Sequence, residues 1–242
     1  ALQVVVVPYA IARIQRLLVH ALRTGALSID DCTWNLAIVE RDVSCAELAI
    51  ADFLEQISHL LAIMGEGEAV AVGTIGNEGV IGHGLFYGAD RAPRRTIAQI
   101  PGDAWSVSVA DFQRAVDLSP RLGELLPRYF RTFFDQVAQS VACNRLHSVE
   151  QRCARWLLMT HDRVGRKDFT LTQEFLAYML GVRRPGVTVA AGALQRAGVI
   201  RYTRGRIRVL DRRGLESAAC ECYGAVRDRF AELGSRPGGR AS

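Results

Sequence analysis

The sequence predicts an α+β protein, with short strands in its first half and helices in its second. Three observations carry this. Residues 66–112 break into short apolar runs separated by Gly73, Gly76, Gly79, Gly82, Gly88, Pro93, Pro101 and Gly102, the rhythm of a β-roll or barrel. Residues 119–142 carry a broad apolar stripe at three- and four-residue steps, a long helix. Residues 171–209 read as helix, sharp turn, helix and then a short hairpin with one basic face. The expected architecture is an N-terminal β-roll, a long helix and a C-terminal winged helix-turn-helix.

Residues 9–24 form an amphipathic helix, with Ile11, Ile14, Leu17, Leu18 and Leu22 facing one way and Gly25 ending it. Residues 26–64 contain neither glycine nor proline, so the tight turns of a β-roll have no obvious place there. Residues 44–64 fit a helix at least as well as a strand, although His59–Met64 alone could be a buried strand. Glycine-punctuated strands follow from Glu66.

Ser119-Pro120 marks the start of the long helix, as N-cap and first-turn proline. Leu122, Leu126, Tyr129, Phe133 and Val137 recur along it, widened by Leu125, Phe130, Phe134 and Val141. This is more apolar surface than one small domain needs to cover. A helix shared with a twin explains it, with Leu126, Tyr129, Phe133 and Val137 as the dimer interface. Pro127 is expected to kink the second turn. Ser148 with Gln151 forms a capping box for the next helix, residues 163–169 a turn, and residues 213–232 a final helix. The tail after residue 232 is expected to be disordered.

In residues 171–209, Thr172 is an N-cap type and Glu174 places an anion in the first turn. Phe175, Leu176, Met179 and Leu180 form the buried face. Gly181 allows a left-handed bend and Val182 plugs the turn. The second helix buries Val187, Ala190, Ala191 and Leu194, and turns Arg183, Arg184, Thr188 and Gln195 elsewhere. In the hairpin, Ile207 and Val209 alternate with Arg206 and Arg208, and Arg204 lies in the turn. This pattern is that of a helix-turn-helix with a basic wing. Arg183 and Arg184 are the candidates for guanine or phosphate contact, with Thr188 one turn on and Gln195 further along. Thr172 and Gln173 are placed for phosphate at a helix N-terminus, and Arg204 and Arg206 for phosphate from the wing.

Charge divides the chain in the same place. Residues 145–242 hold 19 Lys and Arg against 9 Asp and Glu, a net of +10; residues 1–144 hold 11 against 16, a net of −5. A basic C-terminal half beside an acidic N-terminal half fits a nucleic-acid reader joined to a domain with another task. No run of eighteen apolar residues occurs, and the apolar start lacks a signal peptide's charged flank and cleavage site, so a cytoplasmic protein is expected.

Residues 145–223, from Arg145-Leu146-His147-Ser148 through the helix-turn-helix to Cys220-Glu221-Cys222-Tyr223, resemble the C-terminal part of the Crp/Fnr (cyclic-AMP receptor protein) transcription regulators. The resemblance runs more weakly back to about Ala69. It implies a homodimer with a cyclic-nucleotide-binding-like β-roll sensor over residues 1–118, a dimerisation helix over 119–144, a winged helix over 145–232 and a tail over 233–242. Double-stranded DNA is the implied partner, with RNA polymerase as a further candidate. Residues 80–96 resemble the family's phosphate-binding cassette, which makes His83, Arg95 and Thr96 the candidate effector residues. Cyclic-nucleotide binders carry a glutamate for the ribose where this chain has His83, so the cassette is degenerate and cyclic nucleotide is not expected. Pro185-Gly186 also stands where close relatives have a small residue and a hydroxyl, so the target sequence does not transfer.

The six cysteines, Cys32, Cys45, Cys143, Cys153, Cys220 and Cys222, show no N-terminal cluster of the kind that holds iron–sulfur in some relatives. Cys220-x-Cys222 is a short pair with no partner pair, so no metal and no other cofactor is expected. No P-loop, nucleophile elbow or HExxH occurs and no catalytic residue is assigned; an enzyme is not expected. The competing function is an effector-binding or protein-interaction module whose winged helix reads no DNA. The basic wing argues against it.

Overall fold

The computed structural model of the chain describes residues 3–6, 57–65, 68–76, 79–82, 87–88, 95–100 and 107–233. The helix expected over residues 9–24, the stretch 26–56, His83 and the tail from 234 lie outside the described residues. Among the described residues six strands precede the helices: β1 (Gln3–Val6), β2 (Ile57–Ile63), β3 (Ala69–Ile75), β4 (Val80–Ile81), β5 (Arg95–Ile100) and β6 (Val107–Ser108). They form two antiparallel three-stranded sheets, ordered β4-β1-β6 and β3-β2-β5.

The helical reading of residues 44–64 fails where it can be examined, because Ile57–Ile63 is the central strand of its sheet. It pairs with β3 on one side and β5 on the other, with His59 opposite both Thr74 and Ile97. Local apolar spacing is compatible with either period in so short a run, and pairing on both edges decides it.

Two helices follow, α1 (Val109–Leu118) and α2 (Pro120–Leu146). The Ser119 hydroxyl accepts from Leu122 N–H and Pro120 occupies the first turn, as the sequence indicates. Pro127 lies inside α2 without ending it. The stripe assigned to the dimer interface is turned inward instead. Leu126, Tyr129 and Phe133 are 0%, 1% and 4% exposed within the single chain. Tyr129 Oη accepts from Val80 N–H at 3.0 Å and Gln136 Nε2 donates to Thr74 O at 2.9 Å. Phe133 lies so close to Gly73 that a Cβ there would overlap its ring. The reason is that α2 must cover the sheets, and its best-spaced apolar residues do so. Val137 is half-buried, and the solvent side carries Phe134 and Val141, 69% and 67% exposed.

The C-terminal half contains α3 (Val149–Val164), β7 (Asp168–Thr170), α4 (Gln173–Leu180), α5 (Arg184–Arg196), β8 (Ile200–Thr203), β9 (Arg206–Val209), α6 (Arg212–Ala218) and α7 (Cys222–Leu233). The Ser148–Gln151 capping box forms in full. Two details depart from expectation. The segment expected as a turn over 163–169 contains β7, and the single final helix is two, interrupted around Cys220.

One apolar core joins the halves: Leu61, Ala71 and Ile100 from the sheet share it with Trp156, Leu157, Leu176, Met179 and Leu194. His59 stands at that junction, its ring edge-on to Trp156 at 5.7 Å and Phe175 at 5.3 Å. Arg212 ties α6 to α3 and α7, pairing with Asp162 and Glu216 and donating to Tyr223 Oη, which donates to Asp162.

Candidate nucleic-acid interface

The helix-turn-helix is α4, the turn Gly181–Arg183 and α5. Thr172 Oγ1 accepts from Phe175 N–H at 3.1 Å and caps α4. Gly181, at φ 60°, takes the left-handed position that ends it. A side chain on Gly181 would be strained there and would meet Val70 of β3 at 3.1 Å. Leu176, Met179 and Leu180 are buried with Phe175 half-buried, and Val187, Ala190, Ala191 and Leu194 form the buried face of α5.

The opposite face of α5 is open. Arg184, Pro185, Thr188 and Val189 are exposed, Val189 at 69%. These are the residues of its first two turns, which a recognition helix offers to base edges. Arg183 is the N-cap and its side chain makes no capping bond. Arg184 Nη2 pairs with Glu174 Oε2 at 2.9 Å, both side chains largely in solvent. Such a pair is worth about 0–1 kcal/mol. It holds the guanidinium across the mouth of the helix-turn-helix and is readily exchanged for a stronger acceptor. The Thr188 hydroxyl donates to Arg184 O, the usual resting bond of a helical threonine. Gln173 is exposed at the N-terminus of α4. Val189 was missed by polarity-based reading, although its methyl groups can meet a thymine methyl.

The wing is a three-stranded sheet ordered β7-β9-β8. Ile207 and Val209 are buried and Arg206 and Arg208 exposed, as period two requires. Opposite Arg208 stand Asp168 on β7 and Arg201 on β8; opposite Arg206 stand Thr170 and Thr203. The outer face therefore also carries Arg201, a cation the sequence reading did not single out, although the alternation in Ile200-Arg201-Tyr202-Thr203 marks it. Arg208 is held by Asp168 through two bonds, at 2.6 and 2.9 Å. The arginine beside it holds the Asp168 carboxyl below its ordinary range. Arg201, Arg204 and Arg206 have no ion pair among the described residues, and Arg204 takes a positive φ of 50° at the wing's tip.

Gln195 has a different place from the one expected. Its Oε1 accepts from Tyr202 N–H at 2.8 Å, which covers the free edge of β8. Tyr202 Oη in turn donates to Leu171 O at 2.9 Å, so the wing is fastened to α5 and to the segment that leads into α4. Of the candidate effector residues, Arg95 and Thr96 lie on β5, with Thr96 half-buried opposite Leu60.

An exposed helix face at the end of a glycine-bent turn, beside a basic wing, defines a winged helix-turn-helix of the DNA-binding kind. Residues 151–218 match the Crp-like helix-turn-helix domain, so the C-terminal part of the chain carries a Crp-like DNA-binding domain. It is 28% identical over 172 residues to the transcriptional regulator SdrP of Thermus thermophilus, a match covering 69% of this chain and 81% of that protein. In fold it resembles a CRP-family transcriptional regulator from the same organism, Thermus thermophilus (TM-score 0.57, 17% identity, 79% of this chain and 95% of that one). It also resembles FixK2 from Bradyrhizobium japonicum (TM-score 0.57, 12% identity, 78% and 98%). SdrP and the first of these structures are transcriptional regulators. No helix among the described residues is long and apolar enough to cross a membrane.

Proposed function

We propose that the protein is a sequence-specific regulator that binds double-stranded DNA as a homodimer in the cytoplasm, with residues 1–118 as a sensor unit. The carrying observation is the open face of α5. Arg183, Arg184, Thr188 and Val189 lie together at its start and the exposed wing cations Arg204 and Arg206 follow. Arg183 and Arg184 read bases, Val189 supplies an apolar contact, and Gln173 with the amides at the start of α4 meets phosphate. Arg201 adds to the phosphate-facing charge of the wing. The sensor's ligand is not a cyclic nucleotide, since His83 stands where the ribose-binding glutamate belongs.

The dimer reading rests on the exposed Phe134 and Val141 of α2, with the half-buried Phe130 and Val137 beside them. The four follow steps of four, three and four residues, the seam of a two-stranded coiled coil. Two copies paired there would place two α5 helices for a two-fold site.

The test is a salt titration of variants on a selected operator and on random DNA. Arg183→Ala or Arg184→Ala should lose about 1–3 kcal/mol on the operator and relax one base position. Arg206→Ala should weaken both DNAs alike and lower the salt slope by about one unit per subunit. If none of these changes DNA binding, the winged helix is not the reader.

A further inference from the structure

We propose that Cys143, His147, Cys220 and Cys222 form a mononuclear metal site for Zn²⁺ or a similar thiophilic divalent ion, at the junction of the long helix and the DNA-binding helices. Their four candidate ligand atoms all lie within 4.8 Å of one another, from residues up to 79 positions apart in sequence. Zn–S and Zn–N bonds of about 2.3 and 2.0–2.1 Å in a tetrahedron put sulfurs about 3.8 Å apart and sulfur from nitrogen about 3.5 Å. Cys143 Sγ to Cys220 Sγ is 3.5 Å and Cys222 Sγ to His147 Nδ1 is 3.6 Å. Four donors this close surround one ion, not a multi-iron cluster.

The backbone explains how so scattered a set converges. Cys143 and His147 are one turn apart at the end of α2 and share a face. Cys220 and Cys222 would point apart on a continuous helix, since positions two residues apart do not face each other. The chain breaks there instead: Ala219 is extended, α6 ends at Ala218 and α7 starts at Cys222. Both sulfurs then turn toward α2.

The surroundings fit a metal centre better than a packing cluster. His147 Nε2–H donates to Glu221 Oε1 at 3.1 Å, which leaves Nδ1 free to ligate and matches the carboxylate partner typical of ligating histidines. Gln139 Nε2 donates to Cys222 Sγ at 3.0 Å. Arg155 is wholly buried and close enough for its charge to act on Cys143. Its Nε and Nη1 have no hydrogen-bond partner among the described residues. Loading is balanced as one Zn²⁺ in, three thiol protons out, and a neutral imidazole retained. The loaded centre carries one net negative charge, the counter-charge that Arg155 lacks. The three sulfurs are buried, while the His147 side chain keeps 15% exposure as a way in. His147 is also the C-cap of α2, and Ser148 after it the N-cap of α3, so the ion would staple the α2–α3 joint to the α6–α7 joint.

The experiment uses the full chain, purified reduced and stripped with a chelator, then titrated with Co²⁺ and back-titrated with Zn²⁺. Expected are one Co²⁺ per chain, the intense visible bands of a tetrahedral site, thiolate charge transfer in the near ultraviolet, and loss of both on adding Zn²⁺. Cys222→Ser should remove about a third of the charge transfer, one of three sulfurs. Glu221→Gln, at an exposed position, should keep the spectrum and weaken affinity by about 10–100-fold. The double variant Cys32→Ser, Cys45→Ser should leave the titration unchanged. Absence of tetrahedral bands would overturn the proposal. So would a spectrum indifferent to Cys222→Ser, one lost with Cys32 and Cys45, or a Cys143–Cys220 disulfide in a chain that takes no metal.

Discussion

His59 provides a sharp test of how the two halves are joined. Its Nε2–H donates to Gln99 Oε1 at 2.6 Å and its Nδ1 accepts from the Thr74 hydroxyl at 3.3 Å, which is the bonding of a neutral ring. Trp156 and Phe175 pack against the ring in T-shaped contacts. Burial lowers its pKa from 6.5 to about 4; the bond to Gln99 pushes the other way, and the Arg163 charge adds to the lowering. The sign follows from linkage. The unfolded chain takes up this proton near pH 6.5 and the folded chain only near pH 4, so stability is intact above 6.5 and is lost as pH falls toward 4. The full shift, from 6.5 to about 4 at about 1.4 kcal/mol per pH unit, is about 3.5 kcal/mol, and about 2 kcal/mol of it is gone at pH 5.

Urea unfolding at pH 7 and pH 5 measures this, with His59→Gln as control because carboxylates titrate in both proteins. The wild type should lose about 2 kcal/mol more than the variant between the two pH values. Equal losses would mean that the ring is hydrated or charged in the folded state, and that the sheet does not seal against Trp156 and Phe175 as described.

Two further predictions concern the outer surfaces. Phe134→Asp puts a charge into the proposed seam while sparing the intramolecular core, so sedimentation should show a folded monomer where the wild type is a dimer; a wild-type monomer at micromolar concentration removes the seam. Gln195→Ala frees the Tyr202 amide at the edge of β8 and should cost about 0.5–1.5 kcal/mol. Hydrogen exchange at Tyr202 should speed up and all DNA sequences should be bound more weakly; loss of one base preference instead would make Gln195 a reader.

The helix-turn-helix was legible because several local signals agree there. The Thr172 cap, the Gly181 bend, the four buried positions of α5 and the alternation of β9 are each set by neighbours a few residues away, and the structure keeps them all. Long-range partners were not legible. Nothing in Ile57–Ile63 says that strands will pair on both its edges, and nothing near Gln195 says that an edge amide will arrive from Tyr202. The stripe of α2 shows the same limit. Its spacing marks an apolar face correctly but cannot tell a sheet from a second copy, and the better-spaced residues went to the sheet. The cysteines are the extreme case: the pair that Cys220 and Cys222 lacked lies at Cys143 and His147, and a break in a helix was needed to aim them.

The end of α2 matters because of what hangs from it. Arg152 of α3 donates through one guanidinium nitrogen to Asn144 Oδ1 in the last turn of α2 and to Leu180 O at the C-terminus of α4, each at 3.0 Å. The Leu180 carbonyl directly precedes Gly181, and a cation there is favoured by the helix dipole. Arg155, one turn along α3, donates to Ser140 Oγ of α2 at 3.0 Å. Both arginines are buried, so each partner released takes a hydrogen bond from a desolvated guanidinium, a loss of about 1.5–3 kcal/mol. A shift of the last turn of α2 therefore has to carry α3 and the end of α4 with it, and with them the turn that orients α5. The same turn of α2 holds Cys143 and ends at His147. Whatever is bound or displaced there acts on a joint that two buried cations already connect to the recognition helix.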